Sequence, residues 1–390
     1  MPIANAIREA LGSASLIRKM FEEGNLLKKQ YGAGKVFDFS IGNPDVEPPP
    51  AFHRVFIKLA EEDKQGSHGY MPNAGFPEVR EALAQKVARE HQVTIDGSHI
   101  IMAAGAAGGL NVVFKAILNP GDEVIVPRPY FMEYRAYTGN HGGRLIEVDT
   151  LPDFSLDLAA IKAALSEKTA AVLINSPHNP TGRIYPAAAI AELAALLKAH
   201  GKSSGRLPYL VADEPYREIA YNNITVPPIL PAYPESLVVN SYSKSLSLPG
   251  ERIGYIAVSP DLSHKDEVLN ALIYATRILG FVNAPALMQR IVAELTYAKV
   301  DVDVYARRRD AFKQVLDAAG IQYVEPEGAF YLFCQAPGGN DGAFVERLKR
   351  HLILGVPGSG FGKPGWVRFA YCVDEKVIQA SGDAFKLAME

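Results

Sequence analysis

Cysteine is nearly missing from this chain: Cys334 and Cys372 are the only two in 390 residues, and both sit inside apolar runs. A secreted scaffold stapled by disulfides spends more of them, so the expected setting is the reducing cytoplasm. Charge of one sign is missing too. The 40 Lys and Arg against 43 Asp and Glu leave a formal net charge of −3, which supplies no long-range field to gather polyanions and excludes nucleic acid and acidic membrane as general partners. No apolar run approaches the length needed to cross a bilayer, and the first residues reach charge at Arg8 without an apolar core of signal-peptide length. Neither export nor a membrane span is expected. Internal repeats, low-complexity tracts and the Gly-x-Gly-x-x-Gly dinucleotide fingerprint do not occur, and no metal site is expected.

What is present is an ordinary globular composition, 48% apolar and 21% charged, punctuated by 33 Gly and 27 Pro. The length predicts two or three packed units. From about Pro77 to Val258, short apolar runs alternate with segments of helical spacing. Such runs are Ile100–Ala104, Glu123–Val126, Ala170–Ile174 and Tyr209–Ala212. They are apolar on both faces, as strands of a covered sheet are. Between them, Val79, Leu83 and Val87 recur on one face of a helix running from Pro77 to His91. The alternation predicts an α/β fold with a largely parallel sheet. After Pro285 the text turns to long helical spacing up to Gly320, then to brief strands at Phe330–Cys334 and Val367–Tyr371, which predicts a smaller α+β unit. A helix from Ser15 and a strand at Val36–Ile41 are too little to form a core alone and are expected to dock on that unit. The expected division is 46–284 for a large domain and 1–45 with 285–390 for a small one.

Four segments carry chemistry. Directly after the strand Leu237–Asn240 comes Ser241-Tyr-Ser243-Lys244-Ser-Leu-Ser-Leu-Pro-Gly-Glu-Arg252-Ile-Gly. A lone lysine after a strand is usually a solvated surface group. Here hydroxyls and a guanidinium, the donors a phosphate wants, surround a lysine able to form a Schiff base with an aldehyde. Ala212-Asp213-Glu-Pro-Tyr216 follows the strand Tyr209–Val211, at the carboxyl end where open α/β sheets place ligands, although Asp there is also a common helix cap. In Asn175-Ser-Pro-His178-Asn179-Pro-Thr-Gly, two X-Pro bonds fix a turn and the direction of Asn179, while His178 reads as a plain loop histidine. Gly105-Ala106-Ala107-Gly-Gly lies between a strand and a helical run, where small residues let an anion approach free amides; tight packing alone explains such a cluster equally well.

Together, and in this order, these segments resemble the fold-type I pyridoxal-phosphate enzymes, specifically the aspartate aminotransferase superfamily of class I and II, over nearly the whole chain. The resemblance implies a large domain with a mostly parallel seven-stranded sheet, plus the smaller α+β domain. It implies Lys244 as the Schiff-base lysine, Asp213 as the partner of the protonated ring nitrogen, and Asn179 and Tyr216 as donors to the ring hydroxyl oxygen. Ser241, Ser243 and Arg252, with the amides around Gly105, Ala106 and Ala107, become the phosphate cup. Phe131 falls where relatives carry a ring-stacking Trp, Arg368 matches the arginine that grips the substrate α-carboxylate, and Gly42 matches the loop closing over it. Tyr70 matches a tyrosine sent into the partner subunit's phosphate site, which implies a homodimer with shared sites.

The implied activity is transfer of an amino group between an L-amino acid and a 2-oxo acid, with aspartate and 2-oxoglutarate as the first pair. Neutral or aromatic donors are the alternative, as is a carbon–sulfur lyase using the same carbanion; a non-enzymatic effector sensor is disfavoured by the lack of a preceding DNA-binding domain. Ala107 departs from some aspartate-using relatives, which carry a lysine there for the distal carboxylate. Arg18, on the amino-terminal segment, is the candidate replacement, with Arg277 behind it.

Overall fold

In this computed structural model, residues 3–5, 7–8 and 16–390 are described, the side chains of 16–21 excepted. A two-residue strand, β1 (Phe37–Asp38), precedes a seven-stranded sheet. The sheet is built from β2 (Ile100–Ala103), β3 (Glu123–Arg128), β4 (Arg144–Asp149), β5 (Thr169–Asn175), β6 (Tyr209–Asp213), β7 (Ser236–Ser241) and β8 (Gly254–Val258), in the order β2-β8-β7-β6-β5-β3-β4. Strands β4, β3, β5, β6 and β7 are parallel, and β8 runs against both its neighbours.

The doubly apolar runs are explained by what lies on each side. In β6, Leu210 and Ala212 enter one core with Val238 and Ala257, whereas Val211 enters the other with Leu237, Val239 and Ile256. Side chains alternate along a strand, so a strand covered on both faces needs apolar residues at every position. The first core is closed by the helices Pro77–His91, Ala187–Ser204 and Ala286–Glu294, and the second by Gly105–Ile117 and Lys265–Ile278. Val79, Leu83 and Val87 all face the first core. The edge strand β4 is more polar and part-exposed, which is why no apolar run announces it.

The smaller unit holds β9 (Tyr331–Gln335), β10 (Ile353–Leu354), β11 (Val356–Pro357) and β12 (Trp366–Ala370). Strands β11, β12 and β9 form an antiparallel sheet, and β1 pairs in parallel with β10. The expected strand Val36–Ile41 thus pairs over two residues only, but Phe39 beyond it is fully buried, its ring 4.5 Å from Phe312 and 6.1 Å from Phe385. The long helical stretch after Pro285 is two helices, Ala286–Glu294 and Val302–Ala318, the second capped by Asp301, whose carboxylate accepts from the Asp303 amide. Met288, Ile291 and Val292 pack in the large sheet's first core, whereas Val300, Phe312 and Leu316 pack in a separate core with Phe39 and Phe369.

This topology gathers chain ends. The carboxyl ends of β5, β6 and β7 share one edge, and the end of β2 joins them because β8 is antiparallel to both β7 and β2. For the same reason β8 begins at that edge, and Arg252 arrives beside the ends of the other strands. Gly254, the first residue of β8, pairs with both Ala103 and Ser241. A Cβ there would strike the Asn240 carbonyl oxygen and lie 3.1 Å from the Gly105 backbone. Backbone cannot rotate aside as a side chain can, so Gly254→Ala is expected to cost about 1–3 kcal/mol of stability, read as a lower denaturant midpoint; an unchanged midpoint would show that the edge has room.

Candidate active site

Each strand end delivers a functional group. Strand β2 leads through Ala104 into the helix Gly105–Ile117, whose first residue has φ +71°, a left-handed conformation that suits glycine. A Cβ on Gly105 would lie 2.8 Å from the Arg252 guanidinium, so the bare backbone is what lets this helix N-terminus and Arg252 meet. Strand β7 runs into the helical turn Tyr242–Ser245, which carries Ser243 and Lys244. Strand β5 ends at Asn175, β6 ends at Asp213, and Arg368 is contributed across the cleft by β12.

Asn175 ties two of these ends together. Its side-chain amide donates to the Asp213 carbonyl at 2.8 Å, and its oxygen accepts from the Asn179 backbone at 2.7 Å. Asp213 is buried, and the Tyr134 hydroxyl donates to Oδ2 at 2.6 Å, while Oδ1 has no hydrogen-bond partner among the described residues. Burial pushes the Asp213 carboxyl up to about 7, opposed by Tyr134 and reinforced by Glu214. Lys244 Nζ donates to the Gly42 carbonyl at 2.7 Å. Burial pushes this ammonium down to about 8; the neighbouring Cys372 opposes the shift, and the positive charges of Arg368 and Arg252 add to it.

Arg368 is buried; Nη1 donates to Asn179 Oδ1 at 3.0 Å and Nη2 to the Ser40 carbonyl at 2.8 Å. Its guanidinium sits 4.5 Å from the Tyr331 ring centroid and 4.9 Å from that of Phe361, flat aromatic faces that suit a planar cation. The Tyr216 and Tyr331 hydroxyls share a hydrogen bond of 2.8 Å.

These groups enclose one cavity of about 300 Å³, with Gly42, Ala106, Ala107, Phe131, Ser241 and Ser243 also in its wall. Gly105 is not in that wall but lies against Arg252, which is. Tyr70 is not brought there: its side chain is 94% exposed, in a separate groove with Phe281 and Val282. Arg18 belongs to the helix Leu16–Tyr31, but its side chain lies outside those described. Arg277 is exposed on the last turn of its own helix and outside the cavity wall. His178 sits in a loop as expected but is buried, beside Thr181.

Sequence reasoning missed Glu133, Tyr134, Tyr137, Asn175 and Tyr331, all of which line the cavity. Asn175 opens the segment Asn175–Gly182, so position alone could have marked it. The others needed the direction of the short helix Glu133–Gly139 and the approach of β9, neither of which a one-dimensional pattern contains.

The donor set fits pyridoxal phosphate. The unpartnered Asp213 oxygen, buried with no cation against it, suits a protonated ring nitrogen. Lys244, held near 8, suits a carbonyl-reactive amine. Hydroxyls, the Arg252 guanidinium and a helix N-terminus on a glycine suit a phosphate.

Residues 34–383 match the family described as aminotransferase class I and II. A probable aspartate/prephenate aminotransferase of Aquifex aeolicus is 32% identical over 91% of each chain. The aspartate/prephenate aminotransferase of Thermus thermophilus is 33% identical over 88% of each. Among solved structures, an aminotransferase from Eubacterium rectale, 38% identical, covers 100% of this chain and 98% of its own with a TM-score of 0.96. The Thermus thermophilus aspartate aminotransferase solved with maleate is 30% identical, covers 96% of this chain and 97% of its own, and has a TM-score of 0.86. A cavity that gathers a depressed lysine, a raised aspartate and a carboxylate-sized guanidinium, on a fold and sequence matched from end to end, makes this chain a member of the class I and II aminotransferase family, an enzyme that transfers amino groups.

Proposed function

We propose that the enzyme works on pyridoxal 5'-phosphate, held by the residues at the sheet edge, and moves an amino group between an L-amino acid and a 2-oxo acid. The observation that carries this reading is the buried Asp213 oxygen without a partner, in one cavity with Lys244 and Arg368. The cofactor, when bound, supplies an aldehyde to take up the amino group and a protonated ring to draw electrons from the substrate Cα.

The chain's own residues do the rest. Asp213 holds a proton on the ring nitrogen through its free oxygen. Asn179 and Tyr216 serve the ring hydroxyl, and Phe131 covers the ring face. Ser241, Ser243, Arg252 and the amides from Gly105 to Ala107 hold the phosphate. Arg368 can take a carboxylate by two parallel hydrogen bonds and thereby orient the Cα–H bond, with the Gly42 loop against it. Lys244 Nζ, the residue of attachment, carries the Cα proton, and its ammonium, weakened by burial to about 8, gives up its own proton more readily than an exposed lysine does.

Tyr70, exposed in the single chain, supports a homodimer in which each site borrows it from the partner. Two buried free thiols support a cytoplasmic setting; no helix of the described residues is long and apolar enough to cross a membrane. Two readings of the substrate side chain compete. The names of the relatives support aspartate as the donor; 2-oxoglutarate is the acceptor proposed with it. Ala107 favours the second, a neutral donor, because the described residues of the wall include no cation besides Lys244, Arg252 and Arg368.

Borohydride reduction of the yellow holoenzyme is expected to fix the cofactor to the peptide containing Lys244, and Lys244→Ala is expected to abolish transamination with the fold intact; label on another peptide would refute the assignment. Asp213→Asn is expected to lower kcat by about 10² or more, yet to raise the melting temperature of the apoprotein at pH 8. The sign follows from linkage. An acid whose folded value is raised to about 7 loses folding free energy as pH climbs from its ordinary value near 4 to 7, so the gain should shrink towards pH 5. Equal melting temperatures at pH 8 would mean that the carboxyl is not strained by burial. Mixing Tyr70→Phe with Lys244→Ala chains should restore activity above either alone, since both lesions fall in one composite site of the hybrid; full activity in a sedimenting monomer would contradict shared sites.

A further inference from the structure

Three cavity-lining side chains have a buried polar atom without a hydrogen-bond partner among the described residues: Asp213 Oδ1, Arg368 Nε and Glu133 Oε2. A buried polar atom left unmatched is destabilising, so each one calls for a partner from outside the chain. The first two have one in the reading above, a ring nitrogen and an α-carboxylate. Glu133 is left over.

We propose that Glu133 receives the side chain of the amino donor, and that it selects donors ending in a hydrogen-bond donor, such as an amide or hydroxyl, over donors ending in a carboxylate. The inference rests on the transaminase reading and deepens it. Glu133 opens the helix Glu133–Gly139, two residues after Phe131, and the protein donor it finds is its own backbone amide. Arg368 feels its charge but spends its guanidinium on Asn179 and the Ser40 carbonyl, so Glu133 is not the standing counter-ion of the carboxylate grip. Tyr137 and Tyr331, which face it from the helix and from β9, are held protonated by burial and by this same charge, so no proton is exchanged there near neutral pH. Burial pushes the Glu133 carboxyl upward, and its own backbone amide and the charge of Arg368 oppose the shift without cancelling it.

An acceptor in that position has a definite effect on a substrate already held by Arg368. An amide or hydroxyl presented to Glu133 replaces a lost water with a hydrogen bond to a charged group. A second carboxylate meets like charge there, and in the proposed reading the cations of the described wall are engaged at the cofactor and the α-carboxylate. Ala107 offers neither charge nor donor.

The test uses holoenzyme in single-turnover half-reactions, followed by cofactor absorbance, with two isosteric pairs, asparagine against aspartate and glutamine against glutamate, plus alanine. Wild type is expected to favour each amide over its acid in kcat/KM. Glu133→Gln, which keeps the shape and removes the charge, should move each amide-to-acid ratio towards the acid by about tenfold, equivalent to about 1.4 kcal/mol. Calorimetry with maleate, a dicarboxylate that cannot react, should show about tenfold tighter binding to Glu133→Gln, a readout independent of turnover. Ratios and maleate affinity both moving by less than about threefold, or a wild type that prefers the acid in both pairs, would overturn the proposal while alanine turnover leaves the transaminase reading standing. Wild type inert towards all five amino acids would overturn that reading, and this proposal with it.

Discussion

The reversed strand β8 is the constraint from which the rest of the site follows. Parallel strands alone would deliver carboxyl ends to one edge, which suits acidic and small residues on outgoing loops. The reversal adds an incoming chain, and with it a guanidinium that reaches the edge from the strand's beginning. Arg252 can then lie against a helix N-terminus with only the hydrogen of Gly105 between them. Fixed positive charge and free amides thus converge without any long side chain crossing the cavity, at a point anchored in the sheet and not in a loop.

Burial then acts on the two reactive groups in opposite senses. Removing water penalises whichever form is charged, so the same low-dielectric pocket weakens the Lys244 ammonium and strengthens the Asp213 acid. Each group is brought nearer to neutral pH from its own side of the scale. Tyr134 opposes the shift at Asp213 and the neighbouring arginines add to the one at Lys244, but the larger cause is common to both. The fold invests stability in this arrangement: an aspartate left half-satisfied in a core is a defect until a cation meets it.

Much of this was legible in the text because it depends on local signals. Doubly apolar runs identify strands covered on both faces, and Asp213, Asn179 and Lys244 each stand just beyond such a run, so their convergence follows from the parallel sheet. Three things escaped. Strand β4, at the edge, carries Arg144, Glu147 and Asp149 and lacks the apolar signature. The helix Ala286–Glu294 has the same spacing whether it packs on the large core or the small one, so the core it joins could not be read from periodicity. Glu133 and Tyr134 enter the cavity because a seven-residue helix turns inward after Phe131, and that direction is set by tertiary packing. Arg18 stands apart, since its role depends on a side chain outside those described.

Arg368 is anchored in β12 of the smaller unit, while its hydrogen bonds land on Asn179 of the turn after β5 and on the Ser40 carbonyl. The guanidinium is therefore already committed before any acid arrives, stitching the two sides of the cleft together. In the proposed reading, a carboxylate docking there takes the free Nε directly and gains a second hydrogen bond by exchange, releasing the asparagine oxygen or the backbone carbonyl in return. On that reading, the exchange holds down affinity for the group common to all amino acids, and discrimination among them falls to the far end of the substrate.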